Sequence, residues 1–273
     1  MTSISSYTAA LLLGFLQGIT EFLPISSSGH LIVAEEFMGL NPSAWLSFDV
    51  ALHVATACVV LFYFRKEWQE MIKAFFQRSS DNSRRLLLLN IIIGTIPAGI
   101  AGILAEKIIS EHVRNIQIVA IGLILGSGIM WGAEKLYSMR KKEGSAIEKP
   151  FSPFESFLIG CFQALALFPG LSRSGATISG GLILGHDRYH ATKYSFLLAT
   201  PIIIGASLKT FSDNLTHIGS QDIPIFFIGF VTAFITGYAS LHYLIRLMKT
   251  NTLRPFIIYR LCLAVILFAV VLF

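Results

Sequence analysis

Two short polar stretches interrupt an otherwise apolar chain, "QGITEFLPISSSGH" at 17–30 and "LFPGLSRSGATISGG" at 167–181. The first carries a carboxylate at Glu21, hydroxyls at Ser26, Ser27 and Ser28, a glycine at Gly29 and an imidazole at His30. A serine hydroxyl becomes a nucleophile when a neighbouring base takes its proton, and either His30 or Glu21 is of the right type. Alternatively, carboxylates here hold a divalent cation that neutralises phosphate charge. In the second stretch "SRSGAT" reads as a helix start: Ser172 or Ser174 can cap it, and Gly175 lets backbone approach a ligand. Free N–H groups, hydroxyls and Arg173 together make an anion site whose usual occupant is phosphate. Gln17, Ser26, Ser28 and Gly29 face it as a second set of polar groups, with Thr177 one turn into the other helix. Two such cradles suit a diphosphate better than a monophosphate.

For those groups to meet, the chain must fold so that residues about 150 positions apart lie together. With 54% hydrophobic and 14% charged residues and 22 Phe, it lies far from the roughly 25% charged composition of a soluble domain. It reads as an all-α polytopic membrane protein. About 20 apolar residues cross roughly 30 Å of hydrocarbon, and runs of that kind occur at 47–64, 86–105, 116–134, 194–211, 223–245 and 255–273, six expected spans. Residues 7–39 and 154–185 are also apolar, yet each is broken midway by Pro, Gly and Ser. Irregular backbone at membrane depth is tolerated only inside protein or along a watery cavity, so both are expected to be re-entrant helix-loop-helix hairpins.

At an ungapped offset of 146, Gly14, Gln17, Phe22, Ser26, Ser28 and Gly29 fall on Gly160, Gln163, Phe168, Ser172, Ser174 and Gly175. A weaker echo at offset 135 puts Gly94, Ala98, Ile100 and Gly102 on Gly229, Ala233, Ile235 and Gly237. The chain therefore reads as one membrane domain, 1–273, built by duplication: a first repeat over 7–137, a linker over 138–153 and a second repeat over 154–273. Three spans between the hairpins invert the second repeat, which brings the broken segments together near the bilayer midplane. Glu21, His30 and Arg173 are then ionisable groups at membrane depth, where the default reading is functional. Glu21 with Arg173 is the natural pair; the alternative is a salt bridge that only clamps the hairpins.

Most of the 21 Lys and Arg residues lie in 65–85, in 135–149, at Arg188 and Lys193, and at Arg246, Lys249 and Arg254, whereas the other loops hold only Lys107, Arg114 and Lys209. The positive-inside rule places the richer loops, and with them the 138–153 linker, in the cytoplasm. Such separated loops offer no continuous basic face for a nucleic acid. Cys58, Cys161 and Cys262 sit singly in apolar segments, which argues against a disulfide framework or a metal site. The first apolar stretch has neither a basic n-region nor a small-residue cleavage site, so it is expected to belong to the mature fold. Asp49, His53 and Arg260 are not assigned to catalysis: Asp49 can cap the 47–64 span, and Arg260 can pair with a carboxylate or carbonyl in the core.

At these residues the chain resembles the bacitracin-resistance type of undecaprenyl-diphosphate phosphatase, through "QGITEFLPISSSGH", "GCFQALALFPGLSRSGATISGG", "SFLLATP", "DIPIFFIGF" and "IYR". The resemblance implies an inner-membrane hydrolase with six spans and two re-entrant hairpins. Its activity would remove the terminal phosphate of a C55 polyprenyl diphosphate and recycle a cell-wall lipid carrier. It places the E/Q-x-x-x-E motif on Gln17 and Glu21, the proposed nucleophile on Ser27, the histidine on His30 and the phosphate-binding arginine on Arg173. Ser172, Ser174 and Thr177 fall on its second phosphate loop, and the active site is implied to face the periplasm. A divalent cation, Mg or Ca, is implied with Glu21 as protein ligand, although Gln17 stands where many members carry Glu. A homodimer is allowed and not required.

The other class of lipid phosphatase pairs Ser-Gly-His with an SR-x5-H element; here Ser179 stands where that histidine belongs, which argues against membership. A lipid-phosphate transporter would use the same inverted-repeat cavity. Ser27, His30 and Arg173 supply a nucleophile, a base and an anion stabiliser beyond what transport needs.

Overall fold

Serines, prolines and glycines set the helix ends. The computed structural model describes residues 5–40, 42–76, 82–112, 115–142, 150–214 and 222–272, and among these it holds eleven helices and no strand. In chain order they are α1 (Ser6–Phe22), α2 (Ser27–Met38), α3 (Pro42–Tyr63), α4 (Arg65–Phe76), α5 (Asn82–His112), α6 (Ile116–Lys142), α7 (Pro153–Leu165), α8 (Arg173–Ile183), α9 (Arg188–Asn214), α10 (Ile223–Leu247) and α11 (Arg254–Leu272). Pro24 ends α1: the residue before a proline is driven out of the helical region, and Leu23 is extended at φ −63° and ψ 139°. A capping box starts α7, with Ser152 accepting from Glu155 N–H and Glu155 reaching back to Ser152 N–H, and Pro153 in the first turn.

Over the described residues the expected spans fall on helices, the run 47–64 passing one residue beyond α3. Five stretches are long and apolar enough to cross a membrane unaided: Asn82–Ala105, Ile116–Lys141, Arg188–Lys209, Ile223–Leu247 and Arg254–Val271. The sixth, expected over 47–64, meets the same test only as α3 joined to α4 across a bend of 73°. Beyond that bend the sequence turns to Arg65, Lys66 and Glu67, and such a charged amphipathic turn favours lying along an interface over continuing through hydrocarbon. The two stretches expected to be broken are broken: α1 and α2 flank one irregular tip, α7 and α8 the other. The expected linker begins inside α6, which runs to Lys142, while 143–149 lie outside the described residues.

Small residues decide which helices touch. In hydrocarbon, association rests on close van der Waals packing, which glycine permits. A Cβ on Gly14 would stand 2.6 Å from the Gly229 carbonyl oxygen, and one on Gly18 would stand 2.7 Å from the Ala233 carbonyl, so α1 lies directly on α10. In the same way a Cβ on Gly160 would run into the Gly94 carbonyl, which sets α7 against α5. Around these pairs α3 packs on α9 and α10, α8 on α6 and α9, and α6 on α11. The largest apolar cluster includes Phe22, Ile25, Val59, Ile178, Leu182, Phe196, Leu197 and Leu241. Phe22 meets Phe196 edge to face at 5.5 Å, so the residue after Glu21 is wedged into packed side chains.

Candidate active site

Both irregular tips use the same backbone device. Ser26 and Ser172 adopt positive φ, 75° and 70°, the only non-glycine residues described that do so. L-residues reach that region at a cost of order 1–3 kcal/mol and cluster at functional sites when they do. Each serine then caps the next helix: Ser26 Oγ accepts from Gly29 N–H at 3.3 Å and Ser172 Oγ from Gly175 N–H at 3.2 Å. Their neighbours sit close by, Ser28 Oγ 3.5 Å from Ser26 Oγ and Ser174 Oγ 3.3 Å from Ser172 Oγ. Ser174 Oγ also donates across to the Leu23 carbonyl at 3.4 Å, tying one tip to the other. The first four N–H groups of a helix have no intrahelical acceptor, so two helix N-termini with their positive dipole ends are brought together.

The residue after each capping serine turns toward Glu21. Ser27 Oγ donates to Glu21 Oε2 at 2.5 Å, and Arg173 forms an ion pair with Glu21 Oε1. Glu21 is almost wholly enclosed, its side chain 4% exposed against 19% for that of Arg173. An isolated carboxylate in that setting would be strongly disfavoured, and the guanidinium makes its charge tolerable. Gln17 Nε2 donates to Glu21 Oε2 at 3.1 Å and to His53 Nδ1 at 3.0 Å, with His53 Nδ1 3.6 Å from Glu21 Oε2. Two buried polar atoms of this cluster lack a partner among the described residues, Gln17 Oε1 and Arg173 Nη1. Unsatisfied buried groups are rare in native proteins and call for an explanation such as a ligand or ion: here one free acceptor and one free cationic donor belong to two residues that both contact Glu21.

The remaining expected residues divide. His30 is buried and does not hydrogen-bond Ser27; Nδ1 faces the Ser26 carbonyl at 2.7 Å and Nε2 the Tyr259 hydroxyl at 2.7 Å. A carbonyl facing Nδ1 requires the proton there, which leaves Nε2 to accept from Tyr259. Of the two candidate bases for Ser27, Glu21 is therefore the one in contact. Thr177 Oγ1 donates to the Arg173 carbonyl at 2.8 Å and meets Ser195 Oγ at 2.5 Å, which braces α8 on α9. His53, Tyr259 and Arg260 join the cluster without having been assigned to it from sequence. A lone histidine in an apolar span carries no local signal, and only the α3 packing reveals that His53 faces Gln17.

No three His, Cys, Asp or Glu side chains gather as a metal cage among the described residues. Glu21 and the unpartnered Gln17 Oε1 nevertheless supply hard oxygen donors on two residues in contact with each other. That set suits a cation held jointly by one carboxylate and substrate phosphates, the usual arrangement for Mg.

The chain is 42% identical over 260 residues, 95% of its own length and 95% of the relative's, to a protein named undecaprenyl-diphosphatase from Thermodesulfovibrio yellowstonii. Residues 10–266 match the family described as Bacitracin resistance protein BacA. The chain belongs to the BacA bacitracin-resistance family.

Proposed function

We propose that the chain hydrolyses undecaprenyl diphosphate to undecaprenyl phosphate and inorganic phosphate at the Glu21 cluster. The observation that carries this reading is that one carboxylate, from the first broken segment, contacts Ser27 through one oxygen and Arg173, from the second, through the other. Membership of the family and a relative of that name supply the substrate class.

An arriving diphosphate competes with Glu21 for Arg173, whose free Nη1 already offers a further donor. As the guanidinium turns to the phosphate, Glu21 Oε2 keeps its contact with the Ser27 hydroxyl and is placed to take its proton. Ser27 Oγ attacks the terminal phosphorus, its proton passes to Glu21, the bridging P–O bond breaks and the lipid monophosphate leaves. Water then cleaves the phosphoserine, releasing inorganic phosphate and restoring the hydroxyl. Arg173 and the N–H groups at the start of α2 and α8 face the charge that grows on the phosphoryl oxygens. Ser28, Gly29, Ser174 and Gly175 line the two cradles, and His30 holds the Ser26 carbonyl in place. Glu21 and Gln17 would hold a divalent cation, Mg or Ca, which supplies charge neutralisation of the diphosphate when bound.

This reading includes an inverted repeat with two re-entrant hairpins in the bacterial inner membrane, the 138–153 linker in the cytoplasm and the active site open to the periplasm. The helix pairings support it: α1 on α10 mirrors α7 on α5, and the glycines in contact, Gly14 with Gly229 and Gly160 with Gly94, are the same four that the sequence offsets equate. The test is phosphate release by purified protein from undecaprenyl diphosphate. Ser27→Ala and Arg173→Ala are expected to abolish it, and full hydrolysis by both variants would overturn the site. Labelled lipid crossing vesicles without phosphate release would favour transport instead.

A further inference from the structure

Arg260, on α11, is wholly buried and faces no carboxylate among the described residues. It donates to the Pro24 carbonyl at 3.2 Å, on the first tip, and to the Gly170 and Leu171 carbonyls at 2.9 and 3.1 Å, on the second. Further bonds reach the Gly122 and Leu123 carbonyls at 3.3 and 3.2 Å and Ser127 Oγ at 3.2 Å, all on α6. Glycines clear the space: a Cβ on Gly126 would strike the guanidinium, and Gly170 holds φ +88° with its Cα against α6 at Gly122. Pro24 precedes Ser27 by three residues, and Leu171 precedes Arg173 by two. One guanidinium thus grips both tips just upstream of the two residues that meet Glu21.

We infer that Arg260 is a positioning residue of the active site, holding the two broken segments at the separation at which Ser27 and Arg173 both reach Glu21. The inference rests on the phosphatase reading for its effect on rate, while its geometric content stands apart from it. Burying a cation among neutral groups is unfavourable on its own, so a merely structural anchor would be better built from apolar side chains. An arginine here earns its place by geometry: five N–H groups in a rigid fork span three segments at once, which the compact ammonium of lysine does not match.

The test measures kcat, KM and thermal midpoint for Arg260→Lys, Arg260→Gln and Ser127→Ala, with pairs of spin labels reporting the tip-to-tip distance. The labels go at Ser28→Cys and Leu165→Cys, in a separate chain whose Cys58, Cys161 and Cys262 are alanine; because Ser28 lines a cradle, kcat, KM and phosphate release are measured in unlabelled protein that keeps Ser28. A misplacement near 1 Å lowers rate by about 10²-fold. Arg260→Gln is therefore expected to lose about 10²-fold in kcat, Arg260→Lys about tenfold and Ser127→Ala a few-fold. KM should stay within about threefold, because ground-state binding is spread over both cradles. The label distance should broaden or shift in the same order. If Arg260→Gln does not fold, Arg260→Lys and Ser127→Ala decide. Parental kcat and an unchanged label distance in Arg260→Lys would overturn the inference, as would losses of activity that only track the folded fraction. A parent that releases no phosphate while its variants still shift the label distance would sink the phosphatase reading and leave the positioning role standing.

Discussion

The two broken segments are the same backbone with different chemistry. Each turns through a positive-φ serine that caps the following helix on a glycine N–H, Ser26 on Gly29 and Ser172 on Gly175. At the offset that aligns them, Ser27 coincides with Arg173, Glu21 with Leu167, His30 with Ala176 and Gln17 with Gln163. One half keeps the carboxylate and the hydroxyl, the other contributes the cation, and both of these converge on the single carboxylate that remains. Gln17 is engaged with Glu21 and His53, whereas both amide atoms of its counterpart Gln163 are buried without a partner among the described residues. The scaffold is thus shared and the reactive groups are divided between its halves.

Five experiments test that division. The largest effect belongs to Ser27→Ala and Arg173→Ala, each expected to lower phosphate release by at least about 10³-fold, since nucleophile and anion stabiliser have no substitute nearby. Exchanging the pair, Glu21→Arg with Arg173→Glu, keeps an ion pair between the halves; it should stay inactive, and recovered turnover would show that the pair is only a clamp. Chelating divalent cations is expected to lower turnover by about 10²-fold, restored by Mg or Ca; activity that persists in chelator removes the cation from the site. Next in size is the contrast between the two glutamines. Gln17→Leu is predicted to lose about tenfold in kcat, because it loosens Glu21. Gln163→Leu is predicted to keep full activity and unfold about 1 kcal/mol later, since it removes two unsatisfied buried atoms; equal losses from both would break the asymmetry. Smallest are the caps: Ser26→Ala and Ser172→Ala should each lower stability by about 1 kcal/mol. Ser172→Gly should lower it by only a few tenths, because glycine accepts the positive φ.

Much of this site is legible along the chain because its signals are local. Pro24 and the serine clusters mark breaks in apolar runs that nothing else would interrupt, and the Glu21–Arg173 pair follows because the two broken segments contribute charges of opposite sign. His53 and Tyr259 were not legible in this way, and for Arg260 the sequence offered a core carboxylate or carbonyl as partner without saying which: it is carbonyls, on both tips. Each is a single polar residue in an apolar helix, and what it touches depends on the rotation of that helix against others, as with His53 at Gln17 and Tyr259 at His30. The bend after α3 is a comparable case, since the apolar run stops at a charged turn but only the packed helices set its 73°.

What the sequence determined by itself was the inventory: apolar runs of spanning length, two interruptions with matching composition, and glycines at offsets that equate Gly14 with Gly160 and Gly94 with Gly229. Periodicity and chain-breaking residues act over a few neighbours, so they can be read in one dimension. The tertiary structure decided which oxygen of Glu21 faces Ser27 and which faces Arg173, that His30 is turned to Tyr259, and that Arg260 hangs both tips from α6. Those choices arise from close contact between helices far apart in the chain, where a shift of an ångström exchanges one hydrogen-bond partner for another.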